Sequence, residues 1–310
     1  MIVARAIAET RAALRRMPRP LGFVPTMGAL HDGHLSLVDA AKLRCASVAG
    51  SVFVNPAQFG QGEDFETYPR DEARDLSLFE DRGVDLVFAP AAGEMYPDGF
   101  ATALHVRGPL TEAYEGASRD GHFDGMALVV VKLLDIVQPD MLFLGEKDAQ
   151  QLAVVRRFVR DLDLPVEIVG VPTVREPDGL AMSSRNAYLT AEQRAVAPDL
   201  YLALLAGRAA AGAPAATPKD VVVAAATALL MPAAPMGDAE RATALRSEAP
   251  AAGPRFDLDY LALVDADTFE PQTILGPRAL LVAAARLGAI RLIDNVTLSP
   301  SAYPATDATS

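Results

Sequence analysis

Two histidines three residues apart, His31 and His34, lie between a short apolar run and a pattern of helical period. At this spacing on a helical turn, both imidazole rings point to the same side. Gly28 and Gly33 allow the backbone to approach a ligand closely, and a helix N-terminus offers N–H groups to phosphate oxygens. The two rings could then donate hydrogen bonds to a phosphoryl transition state. Half of a metal site and a pair of surface histidines are the alternatives, and the metal site lacks a third ligand at a suitable spacing.

A lysine, Lys147, follows the apolar run 141–145 within the sequence Gly-Glu-Lys-Asp. Because the carboxyl ends of parallel strands meet at one edge of a sheet, we expect Lys147 on the same edge as the two histidines. There it would supply a point charge for phosphate, while a nearby acid could accept from ribose hydroxyls or fix the lysine. A solvated turn is the alternative interpretation.

Two hydroxyls and a guanidinium follow one another in Met182-Ser183-Ser184-Arg185-Asn186. This order could form a phosphate grip, with Arg185 binding through two parallel hydrogen bonds. An ordinary loop is the alternative. The chain contains neither G-x-x-x-x-G-K nor G-x-G-x-x-G, so neither a P-loop enzyme nor a dinucleotide fingerprint is supported.

Amide side chains follow two of the apolar runs, with Asn55 and Gln58 after one and Gln150 and Gln151 after the other. An amide at the carboxyl end of a strand can orient a small hydroxy acid or amino acid without adding charge. Simple exposure to solvent is the alternative for each of them. Four further polar candidates have no internal ranking: Tyr68, Arg70, Arg119 and His122.

Strand and helix patterns alternate along the first half of the chain. The elements that they predict must position these groups. The apolar runs are almost continuous, which is typical of parallel strands buried on both faces. We therefore predict an α/β fold with a doubly wound, Rossmann-like parallel sheet and ligands at the carboxyl ends of its strands. The predicted strands are 21–26, 47–56, 84–90, 141–145 and 166–174, and the predicted helices are 35–46, 71–83, 125–137 and 149–162.

The character of the chain changes near residue 176, where we expect a smaller α+β domain that extends to 299. A capping-box pattern from Thr190 to Gln193 predicts a helix that runs toward Ala211. Residues 206–254 are rich in Ala, Pro and Gly, which predicts helices joined by a long, partly mobile connector. The remaining predictions are a first domain over 1–175, three strands (or two strands and a helix) within 256–298, and a disordered tail at 300–310.

Composition limits the class of protein. The chain has 310 residues, 51% of them apolar and 22% charged, which is typical of a globular protein of roughly two domains. Its net charge of −12 disfavours nucleic acid and anionic membranes as partners. The single cysteine, Cys45, cannot form an intrachain disulfide, and no apolar run is typical of a signal peptide or a membrane span. We expect a cytoplasmic protein.

Several ordered segments together resemble the pantoate–β-alanine ligase (pantothenate synthetase) family of the nucleotidyl-transferase superfamily. HDGH and MSSR resemble the two signature motifs of class I aminoacyl-tRNA synthetases. The resemblance is nearly continuous from about 20 to 200, thins over 206–254, and returns in the C-terminal strands. The main segments are FVPTMGALHDGHLSLV (23–38), SVFVNPAQF (51–59), FLGEKDAQQL (143–152), VEIVGVPTVREPDGLAMSSRNAYLT (166–190) and RLIDN (291–295).

The resemblance implies two half-reactions. ATP and pantoate form a pantoyl adenylate and pyrophosphate, with Mg²⁺ bound through the ATP phosphates, and β-alanine then displaces AMP. His34 would be the proton donor, and His31, Lys147 and Arg185 the other catalytic groups. Gln58 would contact both pantoate and β-alanine, and Gln151 would contact pantoate. The implied ATP-binding residues are Met27, Gly28, Ala29, Leu30, His31, Asp32, Gly33, His34, Gly145, Glu146, Lys147, Asp148, Val174, Met182, Ser183, Ser184 and Arg185.

The chain departs from the family pattern at three positions that affect the shape of the pocket. Ala57 stands where a methionine is familiar, Ala149 where an aromatic residue is usual, and Leu128 where a threonine is common. No proposed catalytic group is lost. The resemblance also implies a homodimer that binds small molecules. The alternative functions are transfer of AMP or CMP to a phosphorylated acceptor by a related enzyme, and nucleotide binding without catalysis.

Overall fold

The structure is a computed structural model that describes residues 1–60, 62–230 and 254–298. The chain divides into two compact units. The first contains Met1–Arg175 with Met182–Ser184, and the second contains Glu176–Ala181 with the chain from Arg185 onward. Residues 231–253 of the predicted connector and the predicted tail (300–310) lie outside the described residues.

The first unit contains a six-stranded parallel sheet and eight α-helices among its described residues. Short 3₁₀ helices at Pro56–Gln58, Glu146–Asp148 and Ser184–Tyr188 lie in the segments singled out by the motifs. The strands are β1 (Ile2–Ala4), β2 (Leu21–Thr26), β3 (Ser47–Val52), β4 (Leu86–Phe88), β5 (Met141–Gly145) and β6 (Glu167–Val171). The helices are α1 (Ile7–Leu14), α2 (Asp32–Arg44), α3 (Glu72–Asp81), α4 (Ala92–Met95), α5 (Pro109–Glu112), α6 (Glu115–Ser118), α7 (His122–Val137) and α8 (Ala149–Asp161).

The strand order β1-β4-β3-β2-β5-β6 confirms the predicted doubly wound parallel sheet. From β2 the chain builds β3 and β4 on one side, and later returns to place β5 and β6 on the other side. The reversal of direction lies between β2 and β5, and sheets of this kind bind ligands at that point, outside the carboxyl ends of the strands. Thr26 and Gly145 end these two strands.

Large apolar side chains on both faces of the sheet form the core. Phe23, Phe79, Phe88 and Phe143 are each 0% exposed. Burying a side chain of this size contributes about 1.5–3 kcal/mol relative to leaving it in water. The core therefore supplies the rigid support on which the strand ends, and the loops that follow them, are held.

Several element bounds differ from those predicted. Strand β3 ends before Asn55 because Pro56 begins a 3₁₀ helix, and a proline cannot donate to a strand ladder. The sequence did not predict β1 or α1. A strand of three residues has too short a pattern to detect, yet β1 pairs with β4 at the edge of the sheet.

The second unit contains a three-stranded antiparallel sheet and three helices among its described residues. The capping box is confirmed, since Thr190 Oγ1 accepts from Gln193 N and Gln193 Oε1 accepts from Thr190 N. The single helix predicted toward Ala211 is wrong: it divides beside Pro198, which lacks the N–H that helix continuation requires. The elements are α9 (Ala191–Val196), α10 (Asp199–Ala211), α11 (Pro218–Leu230), β7 (Phe256–Asp265), β8 (Ala279–Leu287) and β9 (Ile290–Thr297).

The three strands of this sheet resolve the alternative left open by the sequence for residues 256–298. In the part of the chain that the structure describes, no helix is both long enough and apolar enough to cross a bilayer.

Candidate active site

Residues 27–34, here called the histidine loop, connect β2 to α2 and include the first turn of α2. The backbone has positive φ at Gly28 (85°) and Ala29 (50°). The two oxygens of Asp75, which is 1% exposed, accept from Ala29 N and Leu30 N, each at 2.8 Å. A Cβ on Gly28 would lie 2.8 Å from Asp75 Oδ2, so glycine is required both for the conformation and for the close approach. A buried carboxylate on α3 thus determines the path of the loop.

The two histidine rings lie side by side at the start of α2, with centroids 4.1 Å apart. His31 Nδ1 accepts from Gly33 N at 3.2 Å, and His34 Nδ1 accepts from His31 N at 3.4 Å. Because Nδ1 is an acceptor in both rings, the neutral form of each carries its proton on Nε2. Both rings therefore present an N–H donor on the side away from the backbone.

The electrostatic surroundings keep these rings neutral. Burial lowers the pKa of His31 to about 4, and the nearby Lys147 ammonium lowers it further. Burial, then His31, then Lys147 lower the pKa of His34 to about 3. At neutral pH the histidines can donate hydrogen bonds without carrying charge, and Lys147 supplies the positive charge beside them.

Gln150 and Gln151, which follow β5 at the start of α8, have different surroundings. Gln150 is 4% exposed, its Oε1 accepts from Glu115 N, and its Nε2 donates to two backbone carbonyls. Both donor positions of its amide and one acceptor position are used within the fold, so the interpretation of simple exposure is wrong for Gln150. Gln151 is half-buried at the start of α8, and no hydrogen bond from its side chain is formed with any described residue. The role of Gln151 as a contact for pantoate stays a prediction.

Part of the Met-Ser-Ser-Arg segment belongs to the first unit. Met182 N donates to Val174 O at 3.0 Å, and Ser184 Oγ donates to Ala29 O at 3.2 Å. Ser184 thus joins the histidine loop from a segment about 150 residues away in sequence. Arg185 belongs to the second unit, and its role at the phosphates stays a prediction.

Residues 55–58, here called the amide turn, follow β3. Asn55 is 1% exposed, and Gln58 Nε2 donates to Met27 Sδ at 3.0 Å, which joins the amide turn to the histidine loop. The first turn of α7 packs directly on this segment. A Cβ on Gly125 would lie 1.8 Å from Ala57 O, so only glycine permits the observed approach.

A buried histidine anchors the backbone of the amide turn. His122 Nδ1 donates to Gln58 O at 2.9 Å, and its Nε2 accepts from Arg119 Nη1 at 2.9 Å. Arg119 also forms a two-pronged ion pair with Glu63, at 2.7 and 2.8 Å. Burial lowers the pKa of His122 to about 4, and the Arg119 guanidinium acts in the same direction. His122 therefore holds the backbone of Gln58 in place, and Arg119 holds the His122 ring.

His105 is exposed and pairs with Asp124 rather than with the other histidines. Sequence reasoning missed Asp75, because an acid near the start of a helix is indistinguishable from one favoured there by the helix dipole. Across the described ranges 1–60, 62–230 and 254–298, no group of three or more His, Cys, Asp or Glu side chains is arranged to hold a metal ion.

Comparison with known proteins gives the family. The family profile described as pantoate–β-alanine ligase matches residues 2–297. The chain belongs to the pantoate–β-alanine ligase family. It is 51% identical over 294 residues to a pantothenate synthetase of Thermus thermophilus, covering 95% of this chain and 98% of that one. It is 48% identical over 305 residues to the pantothenate synthetase of Rhizorhabdus wittichii, covering 97% and 100%.

Solved structures of the same family share the fold. A crystal structure of pantothenate synthetase from Thermus thermophilus matches with a TM-score of 0.84 at 48% identity, over 97% of this chain and 100% of that chain. The pantoate–β-alanine ligase of Francisella tularensis, crystallised with beta-gamma ATP and β-alanine, matches with a TM-score of 0.74 at 31% identity. That match covers 96% of this chain and 98% of the Francisella chain.

Proposed function

We propose that this protein is an AMP-forming ligase that condenses pantoate with β-alanine to form pantothenate at the expense of ATP. The observation that carries the proposal is the arrangement of two neutral imidazoles beside Lys147, at the point where the sheet reverses direction. The family and the Francisella relative, crystallised with beta-gamma ATP and β-alanine, support the same chemistry.

In the first half-reaction a pantoate carboxylate oxygen attacks the α-phosphorus of ATP. The bond from that phosphorus to the bridging oxygen breaks, and pyrophosphate leaves. Charge on the transferring phosphoryl group and the leaving oxygen would be stabilised by the Nε2–H groups of His31 and His34 and by the Lys147 ammonium. The alternatives of half a metal site and of histidines without a role are both weaker, since each ring is fixed with one N–H directed away from the backbone.

The role of His34 as proton donor stays a prediction, and the surroundings of the ring favour a different one. A ring whose pKa is lowered to about 3 is neutral at pH 7 and is a poor general acid in the unliganded protein. A fixed neutral donor stabilises developing charge without transferring its proton. We propose that His34 acts in this way.

In the second half-reaction the amine of β-alanine attacks the acyl carbon of the adenylate. The bond from that carbon to the phosphate oxygen breaks, AMP leaves, and the amine loses a proton. We propose that Gln58 and Gln151 hold pantoate and that Gln58 also meets β-alanine. Support comes from the position of Gln58 beside Met27 of the histidine loop, and from the half-buried Gln151 amide, which forms no hydrogen bond with the described part of the fold.

Three further properties belong to this proposal. Mg²⁺ would enter bound to the ATP phosphates, which are the oxygen ligands that it prefers. The protein would form a homodimer and act in the cytoplasm. The lid role predicted for residues 176–299 stays a prediction.

The deciding experiment is ATP–pyrophosphate exchange with and without pantoate. We expect exchange that depends on pantoate but not on β-alanine, and release of AMP and pantothenate when β-alanine is added. Formation of ADP, or turnover that does not need β-alanine, would contradict the ligase. Mass spectrometry of the products separates the remaining alternatives: a nucleotidyltransferase would leave AMP or CMP attached to its product, and a non-catalytic module would bind ATP without turnover.

A further inference from the structure

The Asn55 side chain uses its full hydrogen-bonding capacity inside the protein. Its Oδ1 accepts from Ala57 N at 3.2 Å and from the Tyr96 hydroxyl at 2.8 Å. Its Nδ2 donates to Gly125 O at 3.1 Å and to Gln58 Oε1 at 3.0 Å. An amide offers two acceptor positions and two donor positions, so none remains for a substrate. Asn55 therefore acts on a substrate only through its neighbours.

Backbone groups determine which end of the Asn55 amide is the oxygen. A backbone N–H can only donate and a backbone carbonyl can only accept, and Ala57 N and Gly125 O lie at opposite ends of the side chain. The Tyr96 hydroxyl, which can do either, must then donate to Oδ1. The orientation is consequently a property of the fold rather than of a substrate.

The orientation of Asn55 determines the orientation of Gln58. Because Asn55 Nδ2 is a donor, the Gln58 atom that meets it is the oxygen Oε1. The Gln58 amino group is left facing Met27 Sδ, 3.0 Å away. A thioether sulfur is a weak acceptor, so a carboxylate or hydroxyl oxygen of a substrate would replace it readily.

Tyr96 occupies the start of this chain of hydrogen bonds. Its ring packs edge-on against Phe100, with centroids 5.2 Å apart, and the Lys132 ammonium lies 5.7 Å from the Tyr96 ring centre. Burial raises the pKa of Tyr96 to about 12, so its hydroxyl keeps its proton at neutral pH. The rest of the ring is held by packing, and the hydroxyl is the group that reaches Asn55.

We propose that Tyr96 is a positioning residue which, through Asn55, fixes Gln58 as a hydrogen-bond donor to the substrate. The inference rests on the proposed function only for the identity of that substrate, a small carboxylic acid. It assigns the contact of the Gln58 amino group to an acceptor oxygen of that acid.

The first test is Tyr96→Phe, with Tyr260→Phe on β7 of the second unit as the matched control. Loss of the hydroxyl leaves Asn55 Oδ1 with the Ala57 N–H alone, so Gln58 is held less firmly. We expect the KM for pantoate in ATP–pyrophosphate exchange to rise roughly threefold to tenfold while kcat changes less than twofold. A merely structural role would lower the Tm and kcat together and leave this KM unchanged, and that result would overturn the proposal.

The second test is Gln58→Glu, which keeps the shape of the side chain and removes its donor. If the amino group holds a substrate oxygen, the carboxylate repels it, and we expect the KM for pantoate to rise on the order of 100-fold or more. If the substrate instead donated to Gln58, the glutamate would still accept that bond. A KM within threefold of the wild-type value would therefore refute the assigned polarity.

A third measurement needs no turnover and separates failure of this inference from failure of the proposed function. In the full chain labelled with ¹⁵N-glutamine, the Gln58 side-chain N–H pair is assigned by its absence in Gln58→Glu. We expect that pair to shift in Tyr96→Phe and to remain in place in Tyr260→Phe. An unmoved pair overturns the inference even if exchange activity is normal. A shifted pair in a protein without pantoate-dependent exchange upholds the positioning role and removes pantoate as its substrate.

Discussion

The histidine loop and the amide turn follow neighbouring parallel strands, and they are supported in opposite ways. Thr26 and Val52 pair at the ends of β2 and β3, so both segments start from the same edge of the sheet. The histidine loop is held by a buried carboxylate, Asp75, and by two residues with positive φ. In the amide turn, neutral amides, backbone groups and one tyrosine hydroxyl determine the positions of the side chains.

This difference suits the two kinds of ligand that the segments would meet. A triphosphate carries several charges, and transfer of its α-phosphoryl group calls for donors and a cation in fixed places, which we propose that His31, His34 and Lys147 provide. A small hydroxy acid needs orientation more than charge, and an amide whose polarity is fixed supplies that. We therefore expect changes in the histidine loop to affect the ATP step, and changes at the amide turn to affect the KM for pantoate.

The largest effect is expected from His34→Ala. Removing one fixed donor from the transferring phosphoryl group should slow adenylate formation on the order of 100-fold or more, while the KM for pantoate stays within about twofold. Single-turnover release of pyrophosphate measures the first quantity. His105→Ala is the matched control, because His105 is exposed and pairs only with Asp124 among the contacts described above. An unchanged single-turnover rate in His34→Ala would remove the ring from the chemistry.

The next effect is expected from Gly125→Ala, which tests the amide turn. Replacing a helical glycine with alanine normally stabilises a helix by up to about 1 kcal/mol. Here the added Cβ would lie 1.8 Å from Ala57 O, and overpacking of that kind costs about 1–3 kcal/mol. We expect a lower free energy of unfolding and a KM for pantoate raised roughly tenfold, because Asn55 loses its fixed acceptor.

Gly93→Ala is the control for this substitution. Gly93 is also helical, and a Cβ placed there meets nothing within 4 Å. It should leave the KM values unchanged and stability equal or slightly higher. Equal stability and equal KM in both variants would show that the contact between α7 and the amide turn is looser than the structure indicates.

The histidine loop and the parallel sheet could be predicted from the sequence, because each has a signal in residues that are close together in the chain. The histidine loop has a local signature, since glycines, two histidines at helical spacing and a following helix are adjacent in the chain. The parallel sheet also has a local signature in its continuous apolar runs, and the sheet alone brings Lys147 to the same edge. The Rossmann-like fold and the loop could therefore be predicted together.

The supports of both segments could not be predicted, because they depend on contacts between distant residues. Asp75 lies more than forty positions from the loop it holds. Gln150 and Gln151 are adjacent and chemically identical, yet the buried Gln150 amide forms three hydrogen bonds within the fold and the Gln151 side chain forms none with the described residues. Only the rotation of α8 against its neighbours distinguishes them. Pro198 is the exception, because a proline is a local signal from which the break between α9 and α10 can be predicted.

A smaller effect is expected from Asp75→Asn, which weakens the support of the histidine loop without touching the rings. An amide offers one oxygen where the carboxylate offers two, so one of the N–H groups of Ala29 and Leu30 would face an NH₂ group. Leaving a buried donor unsatisfied costs about 1–3 kcal/mol. We expect that loss in urea unfolding and a several-fold rise in the KM for ATP, with the KM for pantoate unchanged.

Asp81→Asn, at an exposed position on the same helix, is the control for Asp75→Asn and should match the wild-type protein in both measurements. A rise in the KM for pantoate equal to that for ATP would contradict the separation between the two segments.

The smallest effect is expected in the pH dependence of the free energy of unfolding, which comes from the three histidines with lowered pKa values. His31, His34 and His122 have native pKa values lowered to about 4, 3 and 4 from an ordinary value of 6.5. At a pH between the lowered native pKa values and 6.5, the unfolded chain binds protons that the native protein does not. The free energy of unfolding therefore falls as the pH falls from about 6.5 toward 4. Above pH 7 the three rings contribute no pH dependence, because they are neutral in both states.

Urea unfolding at pH 7.5 and pH 5.5 measures this effect in a range above the titration of ordinary carboxylates. A buried ring such as His34 should account for about 1 kcal/mol of the difference between the two values. His34→Ala should therefore show a smaller difference than the wild-type protein. Equal differences in the two proteins would mean that the rings of the histidine loop are not held neutral by burial and by Lys147. The proposed use of His34 as an uncharged donor would then fail, while the amide turn would retain its separate role.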